Sequence, residues 1–294
     1  MTPPSTRRTA IQAAIALVLF GCIPVVVRTI SANAYTIGIV RLTVATLGLG
    51  AMMAFRRELR RVPARDVARL AVIGLLFFGH WLTSFLGIKA SSASIGAIGL
   101  STYGAHLLIL GAIFGARVRW TDVAAVTLAV VGAVLVVPSF DLRNDVALGM
   151  LLTSSSALMY ASLPLLHQRW SHIANRTRAL GQFSFALLFF LFFVGKAEWN
   201  LGARDWAGLL FLAVGVTLIG HSLWVSVTTR LSPSSTSILY YANIPIAIVL
   251  SSVALGERLT LRTGGGAALI IGAGLLGLIS RAMRREPQPS PIDA

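Results

Sequence analysis

Two histidines sit beside glycines inside long apolar runs: Gly79-His80 in GLLFFGHWLTSFLGIKASSAS and Gly220-His221 in GVTLIGHSLWVSVTTRLSPSSTS, nearly half the chain apart. An imidazole among hydrocarbon is costly, so its presence points to a ligand, a proton relay or a bond to another helix. Helical spacing adds polar groups to the same faces. Leu76, His80, Thr83 and Gly87 share one face of the first run, and Thr217, His221, Trp224 and Thr228 share one face of the second. Phe77, Trp81 and Phe85 form a separate stripe that reads as a packing surface, which makes Trp224 rather than Trp81 the pathway candidate.

Other apolar runs offer similar faces: Gly99, Tyr103 and His106; Thr236, Tyr240 and Asn243, followed by Pro245; Ser156, Tyr160 and His167. Gly21, Pro24 and Arg28 lie on the first run and Arg41 on the second. Together these faces would line a cavity rich in hydroxyl, imidazole and aromatic groups, suited to a molecule with a flat apolar part and polar ends. The candidate substrate contacts are His80, Thr83, Tyr103, His106, His221, Trp224, Tyr240 and Asn243. The plainer alternative for each histidine is a buried imidazole bonded to a neighbouring helix. No His-x3-His, cysteine pair or acidic partner lies inside a run, so a metal is not expected. H-E-x-x-H, G-x-S-x-G and G-x-x-x-x-G-K-[ST] are all missing, so neither an enzyme nor an ATP-driven pump is expected.

The elements that must position these residues are membrane helices. The chain of 294 residues is 56% hydrophobic and 12% charged, with a mean hydropathy of +0.79. Ten runs are near the length of about 20 residues that crosses a bilayer: 9–29, 33–55, 67–88, 93–115, 121–138, 146–168, 177–196, 205–228, 233–255 and 263–282. They lack the alternation of barrel strands, so the expected fold is an all-α integral membrane protein. The net charge of +15 reflects basic residues between runs and gives no sign of a nucleic-acid partner. With the N-terminus in the cytoplasm, 17 of the 25 basic residues fall on that side, 7 on the other, and Arg41 within a run. Positive-inside then places both termini in the cytoplasm. The first run is expected to be retained rather than cleaved, because Arg28 interrupts it before Ala32-Asn33-Ala34. Cys22, the single cysteine, reads as a small packing residue.

Several features recur at a nearly constant offset, drifting by three positions at most: the Gly-His pairs, Pro24 and Pro164, Gly132 and Gly272, SSASIGAI and SSTSILYY, FGARVRW and LGERLTL. The chain therefore reads as a duplicated unit, 1–140 and 141–294, with five helices in each half. An odd number inverts the second half, an architecture that places a site between the halves and permits alternating access. Gly264, Ala268 and Gly272, and Ala125, Ala129 and Ala133, form small-residue stripes expected to pack the tenth and fifth helices. All ten acids fall in or near loops. Ion-coupled carriers commonly use a buried carboxylate, so uncoupled transport is expected.

LGIKASSASIGAI at Leu86, and IPIAIVLSSVALGERLTLRTGGGAALIIGAGLLGL at Ile244 with Pro245 and Glu257, carry a resemblance. The chain resembles the drug/metabolite transporter superfamily, specifically its EamA-type members. It departs from the family's pattern at Tyr103-Gly104-Ala105 and at Ala116. Within that superfamily it resembles bacterial exporters of aromatic and other hydrophobic amino acids. The resemblance implies a bacterial inner-membrane exporter without a bound cofactor, with a small molecule and the lipid bilayer as partners. The alternative cargo is another amphipathic metabolite or drug, with proton coupling through histidine. The lack of a membrane carboxylate disfavours a cation, whereas Arg41 would serve an anion.

Overall fold

The structure is a computed structural model describing residues 6–59, 61–115, 119–136, 145–231, 236, 239–240, 243–258 and 260–282. Every regular element among these residues is helical. In chain order they are α1 (Thr6–Gly21), α2 (Ile23–Thr29), α3 (Ala34–Phe55), α4 (Ala64–Ala90), α5 (Ala93–Ser101), α6 (Tyr103–Ile113), α7 (Trp120–Val136), α8 (Asp145–Arg169) and α9 (Asn175–Leu191). They continue with α10 (Ala203–Leu210), a π-helical segment (Phe211–His221), α11 (Ser222–Arg230), α12 (Asn243–Leu255) and α13 (Leu261–Ala282).

Among the described residues, six segments are long and apolar enough to cross a membrane: Arg8–Thr29, Ala34–Phe55, Ala64–Ala90, Ala93–Ile113, Asp145–Arg169 and Ala203–Arg230. Trp120–Gly132, Ile246–Leu255 and Leu261–Leu276 are shorter apolar helices, and α9 occupies the seventh run. Helices thus stand at all ten expected runs. The start of the ninth run and the boundary expected between residues 140 and 141 lie outside the described residues.

Local chemistry sets the breaks. The first run divides at Cys22, and Pro24, with no N–H to donate, opens α2. The fourth divides at Thr102, whose hydroxyl donates back to Gly99 O at 2.7 Å. Asn33 caps α3 through Thr36 N at 3.0 Å. The start of α5 is capped from the other half: the Glu257 carboxylate accepts from Ala93 N and Ser94 N, both at 2.9 Å. Glu257 is a helix-end tie between the halves.

The helix pairing repeats when the halves are exchanged. The third segment, α4, packs on α8 and α9; its counterpart, the π-helical segment, packs on α1 and α3. The fourth, α5, lies on α8, and its counterpart α12 lies on α1. Two pairings are their own counterparts, α3 with α9 and α7 with α13. The glycines of the Gly-His pairs follow the same rule. A Cβ on Gly79 would meet Met159 Sδ of α8 at 2.6 Å, and one on Gly220 would meet Phe20 and Leu19 of α1 at 3.3 and 3.4 Å.

One small-residue stripe is placed differently from expectation. Ala125 and Ala129 are buried, and the side chain of Ala133 is outside the described residues. On α13, however, Ala268 is exposed, and a Cβ on Gly264 or Gly272 would meet nothing. The face that packs against α7 is displaced by one to two positions: Gly132 approaches Gly266 O, Leu269 and Ile270. Every residue of this helix is small or aliphatic over several turns, so composition alone does not choose among its faces.

A close crossing, between α4 and α8, supplies a test. A Cβ on Gly87 would lie 2.7 Å from Thr153 Cγ2, 3.0 Å from Gly149 O and 3.1 Å from Leu152 Cβ, and backbone cannot yield. Gly87→Val should lower stability by about 1–3 kcal/mol through overpacking, read as a fall in Tm of detergent-solubilised protein. Gly264→Ala should leave Tm unchanged.

Candidate substrate cavity

A cavity opens where α1, α2, α3, α4, α5, α8, α12 and the π-helical segment meet. Arg41, His80, Ser84, His221 and Asn243 supply its polar lining, and Phe20, Trp81, Phe85, Tyr160 and Tyr240 its aromatic lining. It leaves about 30 Å³ open to the centre of a water molecule, room for roughly two to three waters. A second cavity, with about 10 Å³, is lined by Tyr160, Leu163, Pro164, His167, Gln182, His221, Trp224, Val225 and Thr228.

The two cavities occupy equivalent places in the two halves. Phe20, Ile23 and Pro24 of the first correspond to Tyr160, Leu163 and Pro164 of the second, all three pairs sharing one offset along the chain. Arg41, His80 and Ser84 correspond to Gln182, His221 and Val225, again with one shared offset, a single position longer. Tyr160 and His221 line both, and their rings meet edge to face at 6.1 Å.

Each histidine rests on an aromatic ring from the first helix of the opposite half. His80 stacks on Tyr160 with centroids at 4.2 Å, and His221 tilts over Phe20 at 4.6 Å. Their hydrogen bonding differs. His80 Nδ1 lies 2.6 Å from Ser156 Oγ, which donates to His80 O at 2.8 Å. A serine hydroxyl with its proton so committed accepts at the ring, which assigns the Nδ1–H tautomer. The residue equivalent to Ser156 is Ala16, which has no hydroxyl. His221 Nε2 is buried with no hydrogen-bond partner among the described residues.

Arg41 is fully buried. Its Nε donates to Thr217 Oγ1 at 3.0 Å, and Thr217 Oγ1 donates to Leu212 O at 2.8 Å, five residues back. That spacing belongs to the π-helical segment, a rare geometry frequent at functional sites. The guanidinium carbon lies 4.0 Å from the Trp81 ring centroid and 5.3 Å from that of Phe85. Both terminal nitrogens lack a hydrogen-bond partner among the described residues. Burying the charge costs several kcal/mol, of which stacking on a desolvated indole recovers about 2.

Of the residues expected from sequence, His80, His221, Tyr240 and Asn243 line the first cavity, and His221 and Trp224 the second. Tyr103 is buried against Tyr240, with centroids at 4.2 Å, and lines neither. Thr83 and His106 are half-buried and also line neither; the Thr83 hydroxyl donates back to Gly79 O at 2.8 Å. Phe77, Trp81 and Phe85 are buried, and the last two line the first cavity, so that stripe faces inward. Ser84, Phe20 and Gln182 do not stand out among the sequence candidates. Ser84 lies one helical turn beyond His80, and Gln182 is separated from Arg41 by the same offset as His221 from His80, so helical spacing and the repeat were the signals that pointed to them. Arg41 was marked only by its charge.

The EamA-like transporter family matches the chain twice, over residues 7–137 and 147–279. An uncharacterized transporter of Archaeoglobus fulgidus is 24% identical over 219 residues, which cover 72% of this chain and 78% of that protein. A solved chain, described only as the crystal structure of a protein, superposes with a TM-score of 0.72 at 18% identity, covering 94% of this chain and 99% of that one. That likeness is one of fold.

Ser156→Ala should remove two hydrogen bonds, one to His80 Nδ1 and one to His80 O, leaving the ring nitrogen only Ser156 O at 3.2 Å. The expected cost is about 1–3 kcal/mol, measured as a lower midpoint of thermal unfolding. An unchanged midpoint would mean that the pair does not stabilise the crossing.

Proposed function

The chain belongs to the EamA-like transporter family, and from that premise we propose that it exports aromatic or other hydrophobic amino acids and related metabolites from the cytoplasm by alternating access. It would do so in a bacterial inner membrane, with both termini cytoplasmic, the orientation that the arginine distribution favours. The observation that carries this reading is the equivalence of the two cavities across the Tyr160–His221 contact. Matched positions of the two halves contribute to the two cavities, and Tyr160 and His221 border both, so a rearrangement that opens one while closing the other needs no new architecture. Closely packed aromatic walls suit a flat apolar side chain. The small open volume corresponds to a closed conformation.

The energetics favour facilitated movement. No aspartate or glutamate lines either cavity among the described residues. One observation favours a second reading, proton coupling: His221 presents a free ring nitrogen at the junction of the cavities, and histidine is the side chain that titrates near neutral pH.

Purified protein in proteoliposomes should carry labelled phenylalanine, tryptophan or threonine down its gradient, with flux unaffected by a proton uncoupler. His221→Ala and Trp224→Ala should each reduce flux by about tenfold, the equivalent of one lost aromatic contact of about 1.4 kcal/mol. Flux abolished by the uncoupler would favour the histidine-coupled reading. No flux of any amino acid would sink the substrate class.

A further inference from the structure

We propose that Arg41 is the anchor for a carboxylate of the transported molecule, and that this charge is built into only one of the two equivalent cavities. The proposal deepens the transport reading above and rests on it.

The guanidinium is held and half-dressed. Arg41 stands two turns into α3, about 10 Å along the helix axis, and none of it is exposed. Its Nε is fixed by Thr217, on the π-helical segment. Trp81 and Phe85 pack against the planar group. What remains is the edge bearing the two terminal nitrogens, unpartnered among the described residues, on a side chain that lines the cavity. Two parallel N–H donors are the match for two carboxylate oxygens. No acidic side chain among the described residues lines the cavity to neutralise the charge, and a guanidinium does not discharge by losing its proton.

The other half supplies the contrast. Gln182 takes the equivalent position in the second cavity, and its Oε1 is already engaged by His167 Nε2 at 2.9 Å. A neutral residue with a partner thus stands where the first half has a cation without one. Symmetry alone would not produce the difference, and helix packing does not need it, since glutamine fits the equivalent place. The aromatic faces of Trp81, Phe85 and Tyr240 beside Arg41 would receive the apolar part of the same molecule. The ligand class is therefore an organic monocarboxylate, either a zwitterionic amino acid or a simple acid.

The test is ligand binding to purified full-length protein in detergent, by calorimetry, using L-phenylalanine, 3-phenylpropionate, phenethylamine and hexanoate on the wild type, Arg41→Gln and Arg41→Lys. Wild type should bind phenylalanine at least about tenfold more tightly than phenethylamine, which lacks only the carboxylate. Arg41→Gln should keep the helical circular dichroism and gel-filtration profile of the wild type and lose about tenfold or more in affinity for every carboxylate. Its affinity for phenethylamine should not change, and Arg41→Lys should restore part of the carboxylate affinity. Binding of 3-phenylpropionate equal to phenylalanine identifies a simple acid as a sufficient ligand; much weaker binding identifies the amino acid, and both uphold the anchor. Hexanoate binding that depends on Arg41, with no binding of either phenyl carboxylate, would keep the anchor and remove the aromatic-cargo reading. The proposal is overturned if phenethylamine binds as tightly as phenylalanine, if Arg41→Gln leaves carboxylate affinity intact, or if no carboxylate binds the wild type. Should Arg41→Gln fail to fold, the wild-type comparison and Arg41→Lys still decide.

Discussion

Hydrocarbon offers no hydrogen bonds, so every polar group carried into it must find a partner within the protein. That constraint explains the purely helical architecture of the described residues and the way hydroxyls are disposed of. Thr83, Ser91, Thr102, Thr153 and Ser162 all turn back to carbonyls of their own helices. It also makes the exceptions informative. The Arg41 terminal nitrogens, the Tyr160 hydroxyl and His221 Nε2 are buried without partners among the described residues, and all three residues line the cavities. Part of the unmet hydrogen-bonding capacity thus stands where a cargo would pass, at a cost of several kcal/mol for the guanidinium alone, and the rest lies on residues that line neither cavity, such as Thr46, Tyr103 and Arg178.

The internal repeat sets the geometry within which that cost is tolerated. Exchanging the halves exchanges the helix pairings, the histidine–aromatic stacks and the two cavities. What differs between halves is chemistry at matched positions: tyrosine for phenylalanine beneath the histidine, serine for alanine beside it, arginine for glutamine across from it. The His80 ring is bonded to Ser156, whereas the His221 side combines a free ring nitrogen with a π-helical backbone.

Much of this was legible in the residues themselves. Apolar runs mark helices because length and hydropathy are read directly by the bilayer. The offset of His80 and His221 survives in structure as matched ring contacts, whereas Pro24 opens α2 and Pro164 lies inside the unbroken α8. Three features were not legible for physical reasons. Trp81 and Phe85 read as a packing surface at helical spacing, yet they line the first cavity, since aromatic rings serve either surface equally well. The α13 stripe was misplaced because glycine and alanine occur on several of its faces. The π-helical register over Phe211–His221, within which the Thr217 hydroxyl donates to Leu212 O, is not encoded in the residue pattern. Arg41 was visible as a lone charge, but its role depends on what surrounds it, and only the absence of partners for its outer nitrogens in the fold marks it as a binding group.

Alternation between matched cavities is tested most directly by accessibility at a matched pair of lining positions. In a Cys22→Ala background, Ile23→Cys and Leu163→Cys place single thiols at equivalent points of the two cavities. Labelling each with a membrane-impermeant maleimide, with and without saturating L-phenylalanine, reports which cavity is open. Alternating access predicts that cargo raises the reactivity of one thiol and lowers that of the other. Reactivities that rise together, fall together or stay unchanged would contradict it.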